Sequence, residues 1–223
     1  MAKPKVWTDP EKLVTDLKEC DWRDWFDRGR QREAGSDART VIQHSVAANT
    51  FRAFRGLPNK PSVVFRQWAF DALFGTTTFF ERLLAVTTTS QYDSWLMELA
   101  DHFRRSWRDA MGRDVPFGPS LKLPNLLVKS LCLLRDMPRP AVDRIIWFLH
   151  VPLDSYTIQA VRGSIVVFPD SAQIGRIPPS AGMGWITNMR MYQAFQAGIG
   201  VLATRSGVPR IALDCLAWDA GHA

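Results

Sequence analysis

The sequence predicts an all-α fold, and three observations carry that prediction. Apolar residues recur at helical spacing along most of the 223 residues, the periodic stretches are bounded by capping residues, Gly and Pro, and no internal repeat or low-complexity tract interrupts them. A hydrophobic content of 46% is enough to bury a sizeable core. The expected architecture is one domain, a bundle of two packed helical lobes at about residues 1–112 and 113–223, with about nine or ten helices.

Thr8 or Asp9 followed by Pro10 is a start signal for a first helix through about Arg28, with Leu13, Val14, Leu17, Trp22 and Trp25 as its apolar stripe. Gly29 to Gly35 is polar and reads as a loop. Ser36 or Asp37 caps a second helix carrying Val41, Ile42, Val46 and Phe51, which ends near Gly56 and Pro58. Ser62 to Phe74 and Thr78 to Val86 read as two shorter helices. Ser90 or Gln91 opens a longer one through Met111, stopped by Gly112.

The next segment, LKLPNLLVKSLCLLRDMPRPAVDRIIWFLHVPLDSY, folds most simply into two antiparallel helices. Pro124 is tolerated at a first helical position, so a helix from there to about Arg135 is roughly 18 Å long at 1.5 Å per residue. Pro138 and Pro140 break the chain, and Pro140 starts a return helix to about His150, again roughly 15 Å. The two runs nearly cancel, which brings Lys122 and Asp154 towards each other. Val151, Pro152 and Leu153 make an extended approach to a third helix, capped by Asp154 or Ser155 and stopped at Gly163. With both groups at helix N-termini, the ammonium of Lys122 is disfavoured and the carboxylate of Asp154 is favoured.

After Gly163, SIVVFPD reads as a brief strand or extended segment, and QIGRIPPSAGMG as a loop. Trp185 to Arg205 is helical in pattern although Gly198 and Gly200 weaken it, and Gly207 and Pro209 precede a last helix.

The segment from Lys122 to Asp154 resembles the helix-hairpin-helix DNA glycosylases, most closely their archaeal 8-oxoguanine DNA glycosylase branch. That family carries a lysine, a second lysine seven residues on, and the aspartate of a Pro-Val-Asp-Ser motif 32 residues after the first. Here Lys122 and Lys129 are seven apart, Asp154 lies 32 beyond Lys122, and the local sequence is Val151-Pro152-Leu153-Asp154-Ser155. The family also has an aspartate and a tryptophan four apart on its last helix, facing the extruded base; Asp214 and Trp218 stand at that spacing, one helical turn apart. The match covers roughly residues 118 to 160 and 208 to 219. The chain departs from the commoner members in lacking a Gly-x-Gly hairpin, so that loop's phosphate contacts are not carried over. Its stretch from Gly163 to Trp185 is longer than in the archaeal enzymes.

The resemblance implies a DNA glycosylase on a divergent helix-hairpin-helix scaffold, acting on double-stranded DNA that contains a modified base. Asp154 is expected to stabilise positive charge on the sugar. Lys122 either attacks C1′ and forms a Schiff base, adding AP-lyase activity, or orients the substrate. The expected target is 8-oxoguanine or, if the longer 163–185 stretch makes a roomier pocket, a glycosylated hydroxymethylcytosine of phage DNA, which makes the protein a defence enzyme. The alternative is a non-catalytic DNA-binding or protein-interaction module on the same scaffold.

Each side chain has a plainer competing role. Lys129 either reaches a base edge or phosphate, or is a helix lysine with its head in water. Asp214 either faces the base or pairs with Arg210, and Trp218 is either a stacking plate or core. Trp95, in YDSWLMEL, is the candidate opposite wall of a base sandwich, or part of an apolar stripe with Tyr92. Arg104, Arg105 and Arg108 read as a solvated helix face.

The formal charge of +6 and pI near 9.5 permit a polyanionic partner. Residues 113 to 213 hold 11 Lys or Arg against five Asp and no Glu, so that half is the more cationic. Cys20, Cys132 and Cys215 form no CxxC or Cys/His cluster, which argues against a disulfide framework, a zinc site or four-cysteine iron–sulfur ligation. No cofactor or metal is expected. The opening MAKPKVWTDPEK turns polar at once, and uncharged runs reach only 14 residues, as in Met191 to Thr204. A bilayer span needs roughly 20, so a cytoplasmic monomer without membrane contact is expected.

Overall fold

The computed structural model describes residues 4–48, 50–54, 56–75 and 78–222, and every regular element among them is a helix or 3₁₀ turn. Two compact units emerge. The first comprises Met1–Trp25, Pro116–Lys122 and Leu149–Ala223, and the second Phe26–Val115 and Leu123–Phe148. The chain therefore does not divide near residue 112, because its N-terminal segment is held by long-range contacts to the C-terminal helices.

The expected first helix is two, α1 (Pro10–Glu19) and α2 (Trp22–Arg32). Asp9 caps α1 by accepting from Glu11 N, and Pro10 takes the first helical position. Cys20 leaves the helix in an extended conformation, and Asp21 restarts it by accepting from the Asp24 amide at 3.0 Å. In the second unit, α3 (Ala38–Ser45) is capped by Asp37 through the Thr40 amide. It stops well before Gly56, and Phe51 lies instead in a 3₁₀ turn, Thr50–Phe54. Helices α4 (Pro61–Phe74) and α5 (Phe79–Ala85) fall where their patterns place them.

The long helix α6 (Thr89–Met111) is the spine of the second unit. Thr88 caps it through the Gln91 amide, and Gly112, at φ +68°, ends it in the left-handed region that side chains rarely adopt. Tyr92, Trp95, Leu96, Leu99, Ala100, Phe103 and Trp107 all point into the core. Burying a Leu or Phe of this kind contributes about 1.5–3 kcal/mol. Phe103 meets Phe65, Trp68 and Trp107 in an aromatic cluster with centroids 4.5–6.0 Å apart, so α4 and α6 pack through rings.

Helix α7 (Phe117–Leu131) begins seven residues before the expected start at Pro124, which lies inside it. Pro119 marks the true first turn, where a missing N–H costs nothing; the first bond of the ladder is Ser120 N to Pro116 O, 3.0 Å. Helix α8 (Arg139–Phe148) follows. Arg144 donates to the carbonyls of Leu84 and Val86, both at 2.7 Å, tying α8 to the end of α5.

In the first unit, α9 (Ser155–Ala160) is short and runs on into a 3₁₀ turn, Arg162–Val167. The stretch expected as a brief strand or extended segment is helical in sense as far as Val167 and extended only from Phe168, and Gly163 is passed rather than being a stop. A side chain at Gly163 would lie 2.3 Å from the Trp7 carbonyl oxygen; the glycine is needed for close packing on the N-terminal segment. After α10 (Ser171–Ile174) and a 3₁₀ turn at Met183–Trp185 come α11 (Met189–Ser206) and α12 (Ala212–His222). Gly198 in α11 admits the Phe168 ring, which would be 2.0 Å from any Cβ there. Helix α1 packs on α11: Ser206 Oγ donates to Val14 O at 3.0 Å, and Arg205 pairs with Glu11 at 2.6 Å. Among the described residues no helix is long and apolar enough to cross a membrane.

Candidate active site

The first unit brings Lys122 and Asp154 together. Lys122 Nζ lies 3.3 Å from Asp154 Oδ2, with side-chain exposures of 9% and 7%. Lys122 is reached from the second turn of α7, not from a helix N-terminus, so the positive end of a helix dipole does not act on its ammonium as the expected start at Pro124 implied. Its counter-charge is the Asp154 carboxylate.

Asp154 is fixed by local chemistry. It is the N-cap of α9, and its Oδ1 accepts from Tyr156 N at 2.8 Å and Thr157 N at 3.1 Å. Thr157 Oγ1 in turn accepts from Asp154 N at 2.9 Å and donates to Pro152 O at 2.9 Å. This is a capping box, with one carboxylate oxygen committed to the backbone and the other turned to Lys122. The approach segment is gripped by Gln196 of α11, whose amide accepts from Val151 N at 3.0 Å and donates to Val151 O at 2.8 Å. One turn earlier on α11, the Tyr192 hydroxyl meets His150 Nδ1 at 2.8 Å.

The stretch before α11 lies against the same corner. Gln159 Nε2 donates to Pro178 O at 2.8 Å, and a side chain at Gly182 would sit 3.8 Å from the Ser155 Cβ. Gly118, one turn before Lys122, has the Met183 carbonyl oxygen 1.8 Å from where its Cβ would be. Only glycine lets the Met183–Trp185 turn rest on α7 there.

The remaining candidates separate. Asp214 and Trp218 occupy successive turns of α12, which packs against α9. Asp214 is buried, and the half-buried Trp218 stacks on Tyr156, with centroids 4.9 Å apart and planes at 29°. Trp218 is thus joined to the Asp154 turn through Tyr156, two residues on. Lys129 is carried two turns beyond Lys122 on α7, within the second unit, and at 6% exposure it is not a lysine with its head in water. Trp95 belongs to the core of the second unit: it is 2% exposed, its indole N–H donates to Phe79 O at 2.9 Å, and Tyr92 and Phe79 lie beside its ring. Its ring thus packs among apolar neighbours, and Trp95 also borders a hollow lined by Arg82, Gln91 and Glu98. Arg104 pairs with Asp101, and Arg108 with Asp114 at 2.5 Å, as on a solvated helix face.

Sequence reasoning missed Thr157, Tyr156, Gln196 and Gly118. The Asp-x-x-Thr spacing of a capping box was a usable signal for Thr157. A buried Gln in an otherwise apolar helix marks Gln196 only once its burial is known.

An amine held against a carboxylate in a nearly dry corner supplies a nucleophile with its proton acceptor, and a fixed negative charge for a developing cation. Competing thiol nucleophiles are quenched: burial pushes the Cys132 thiol up to about 12 and, with nearby Asp219 and Asp21, the Cys20 thiol up to about 11. Among the described residues, no group of three or more His, Cys, Asp or Glu is placed to hold a metal ion. No family model matches the chain, and no curated protein or solved structure matches it either.

Proposed function

We propose that this chain is a DNA glycosylase that flips a modified nucleotide out of double-stranded DNA and cleaves its N-glycosidic bond. The observation that carries the reading is the 3.3 Å approach of Lys122 to Asp154, at the spacing of the family the sequence resembles. A base inside a duplex is out of reach of any side chain, so extrusion comes first. As the C1′–N bond breaks, its electron pair leaves with the base, and the Asp154 carboxylate, through the oxygen that faces Lys122, stabilises the positive charge left on the sugar. Lys122, its proton passed to Asp154, adds to C1′; opening of the sugar ring gives a Schiff base, from which β-elimination nicks the strand. In the hydrolytic variant, water adds instead and Lys122 only orients the substrate. Trp218 with Tyr156 supplies an aromatic surface near the site, and Asp214 and Lys129 are the polar candidates for reading the base. Trp95 has no part in this reading.

The excised base is either 8-oxoguanine or a glycosylated hydroxymethylcytosine of phage DNA, the second being a defence role favoured by the long 163–185 stretch beside Ser155. A cytoplasmic monomer acting without a cofactor completes the proposal. Borohydride trapping on duplexes carrying each base, with parallel alkali cleavage, tests it. A covalent adduct that disappears in Lys122→Ala supports the lyase route, and abasic product without adduct supports hydrolysis. Unchanged DNA binding with no base release from either duplex, in the wild type and in Asp154→Asn alike, overturns the enzyme reading in favour of a binding module whose buried ion pair is structural.

A further inference from the structure

Two concave hollows of the second unit differ in charge. The larger, about 400 Å³, lies beside α5 and the start of α6 and contains one cation, Arg82. That charge is already answered: Arg82 Nη2 lies 2.6 Å from Glu98, which lines the same hollow. The smaller, about 270 Å³, lies between α3 and α4 and is lined by Arg39, Arg66, Gln43, Gln67 and Phe70, together with apolar neighbours. It contains two guanidinium groups and no acid.

Neither arginine has an acidic side chain within ion-pair distance among the described residues. Asp37, two residues before Arg39, has its carboxylate engaged by the Thr40 amide as the cap of α3. Asp71, one turn beyond Gln67, accepts from the Gln67 amide at 2.8 and 3.0 Å. Arg39 is also pre-positioned, its guanidinium carbon lying 3.7 Å over the Phe70 ring. Stacking on the ring face leaves the in-plane N–H fork available, the geometry that matches two oxygens of one tetrahedral anion. Two guanidinium groups lining one small cavity favour an anion between them, and the hollow has room for a phosphoryl group.

We propose that the α3–α4 hollow is a phosphate-binding site, with Arg39 and Arg66 taking phosphoryl oxygens and the Gln43 side chain as a neutral partner. Nothing in this site rests on the proposed Lys122–Asp154 chemistry. Its phosphate comes from a free phosphate monoester or from the backbone of a nucleic acid, and the chemistry of recognition is shared.

The test is a titration of the full chain with inorganic phosphate, a nucleoside 5′-monophosphate and an unmodified DNA duplex, at constant ionic strength. Wild type, Arg39→Gln, Arg66→Gln, Arg66→Lys and the control Arg82→Gln are compared, with circular dichroism confirming that each is folded. Saturable binding is expected that weakens about tenfold or more in Arg39→Gln and Arg66→Gln, is partly kept in Arg66→Lys, and is unchanged in Arg82→Gln. If the monophosphate is affected and the duplex is not, the source is a free ester; if the duplex falls in step and its salt dependence becomes shallower, the source is the DNA backbone. Absence of saturable binding to all three probes, or equal losses in Arg66→Gln and Arg82→Gln, overturns the proposal.

Discussion

Lys122–Asp154 and Arg82–Glu98 are both ion pairs, and the shorter one is the less consequential. Arg82 and Glu98 approach to 2.6 Å with side chains 44% and 53% exposed, whereas Lys122 and Asp154 are 3.3 Å apart at 9% and 7%. Water around the first pair screens it and offers each partner an alternative. Around the second there is little water, so each charge depends on the other and on the backbone amides that hold Asp154. Burial, not distance, separates a pair whose partners depend on each other from a surface contact.

The largest expected effect comes from Asp154→Ala. It removes the cap of α9 and leaves the Lys122 ammonium buried without its partner, so a loss on the order of 3–5 kcal/mol is expected in urea denaturation. Asp154→Asn keeps the amide acceptor for the cap and costs less, while still abolishing the proposed base release. If both variants are as stable as the wild type, the pair is wetter than its burial indicates and the contrast with Arg82–Glu98 collapses.

Gln196→Ala comes next. It strips both hydrogen bonds from Val151 in a buried segment, and an unsatisfied buried group costs about 1–3 kcal/mol. The proposed glycosylase activity is expected to fall further than stability accounts for, because the segment leading to Asp154 loosens; Gln196→Glu keeps an acceptor for the Val151 amide but buries a carboxylate against the Val151 carbonyl, and should be no more stable than Gln196→Ala.

Gly118→Ala sharpens the comparison differently. Alanine is the better helix former, yet its Cβ meets the Met183 carbonyl, and a net loss of about 1–3 kcal/mol is expected. Gly184→Ala, with nothing within 4 Å of the new methyl, should leave the melting temperature unchanged. The smallest effect belongs to Arg82→Ala, at roughly 0–1 kcal/mol and falling with added salt.

Helix ends were the most legible part of the chain. Asp37 capping through Thr40, Thr88 through Gln91 and Asp154 through Thr157 all involve partners three residues apart, and Gly112 stops α6 by its own conformation. Where two local signals competed, the sequence was ambiguous: Pro119 and Pro124 are both acceptable in a first turn, and the one chosen for α7 moved Lys122 from a helix end to a helix interior. The break at Cys20 and Asp21 was hidden for the same reason, since the apolar stripe of α1 and α2 continues across it.

The sequence by itself determined the all-helical class, most helix boundaries and, through the 7- and 32-residue spacings, which two charged side chains to examine together. Those properties depend on neighbours within a turn or two, or on a count of residues. Tertiary structure alone decided that Gln196 grips Val151, that Trp218 stacks on Tyr156, that the Met183 turn rests on Gly118, and that Trp95 is core. Each joins residues distant along the chain, where packing and the need to satisfy buried polar groups choose the partner, and no local pattern records the choice.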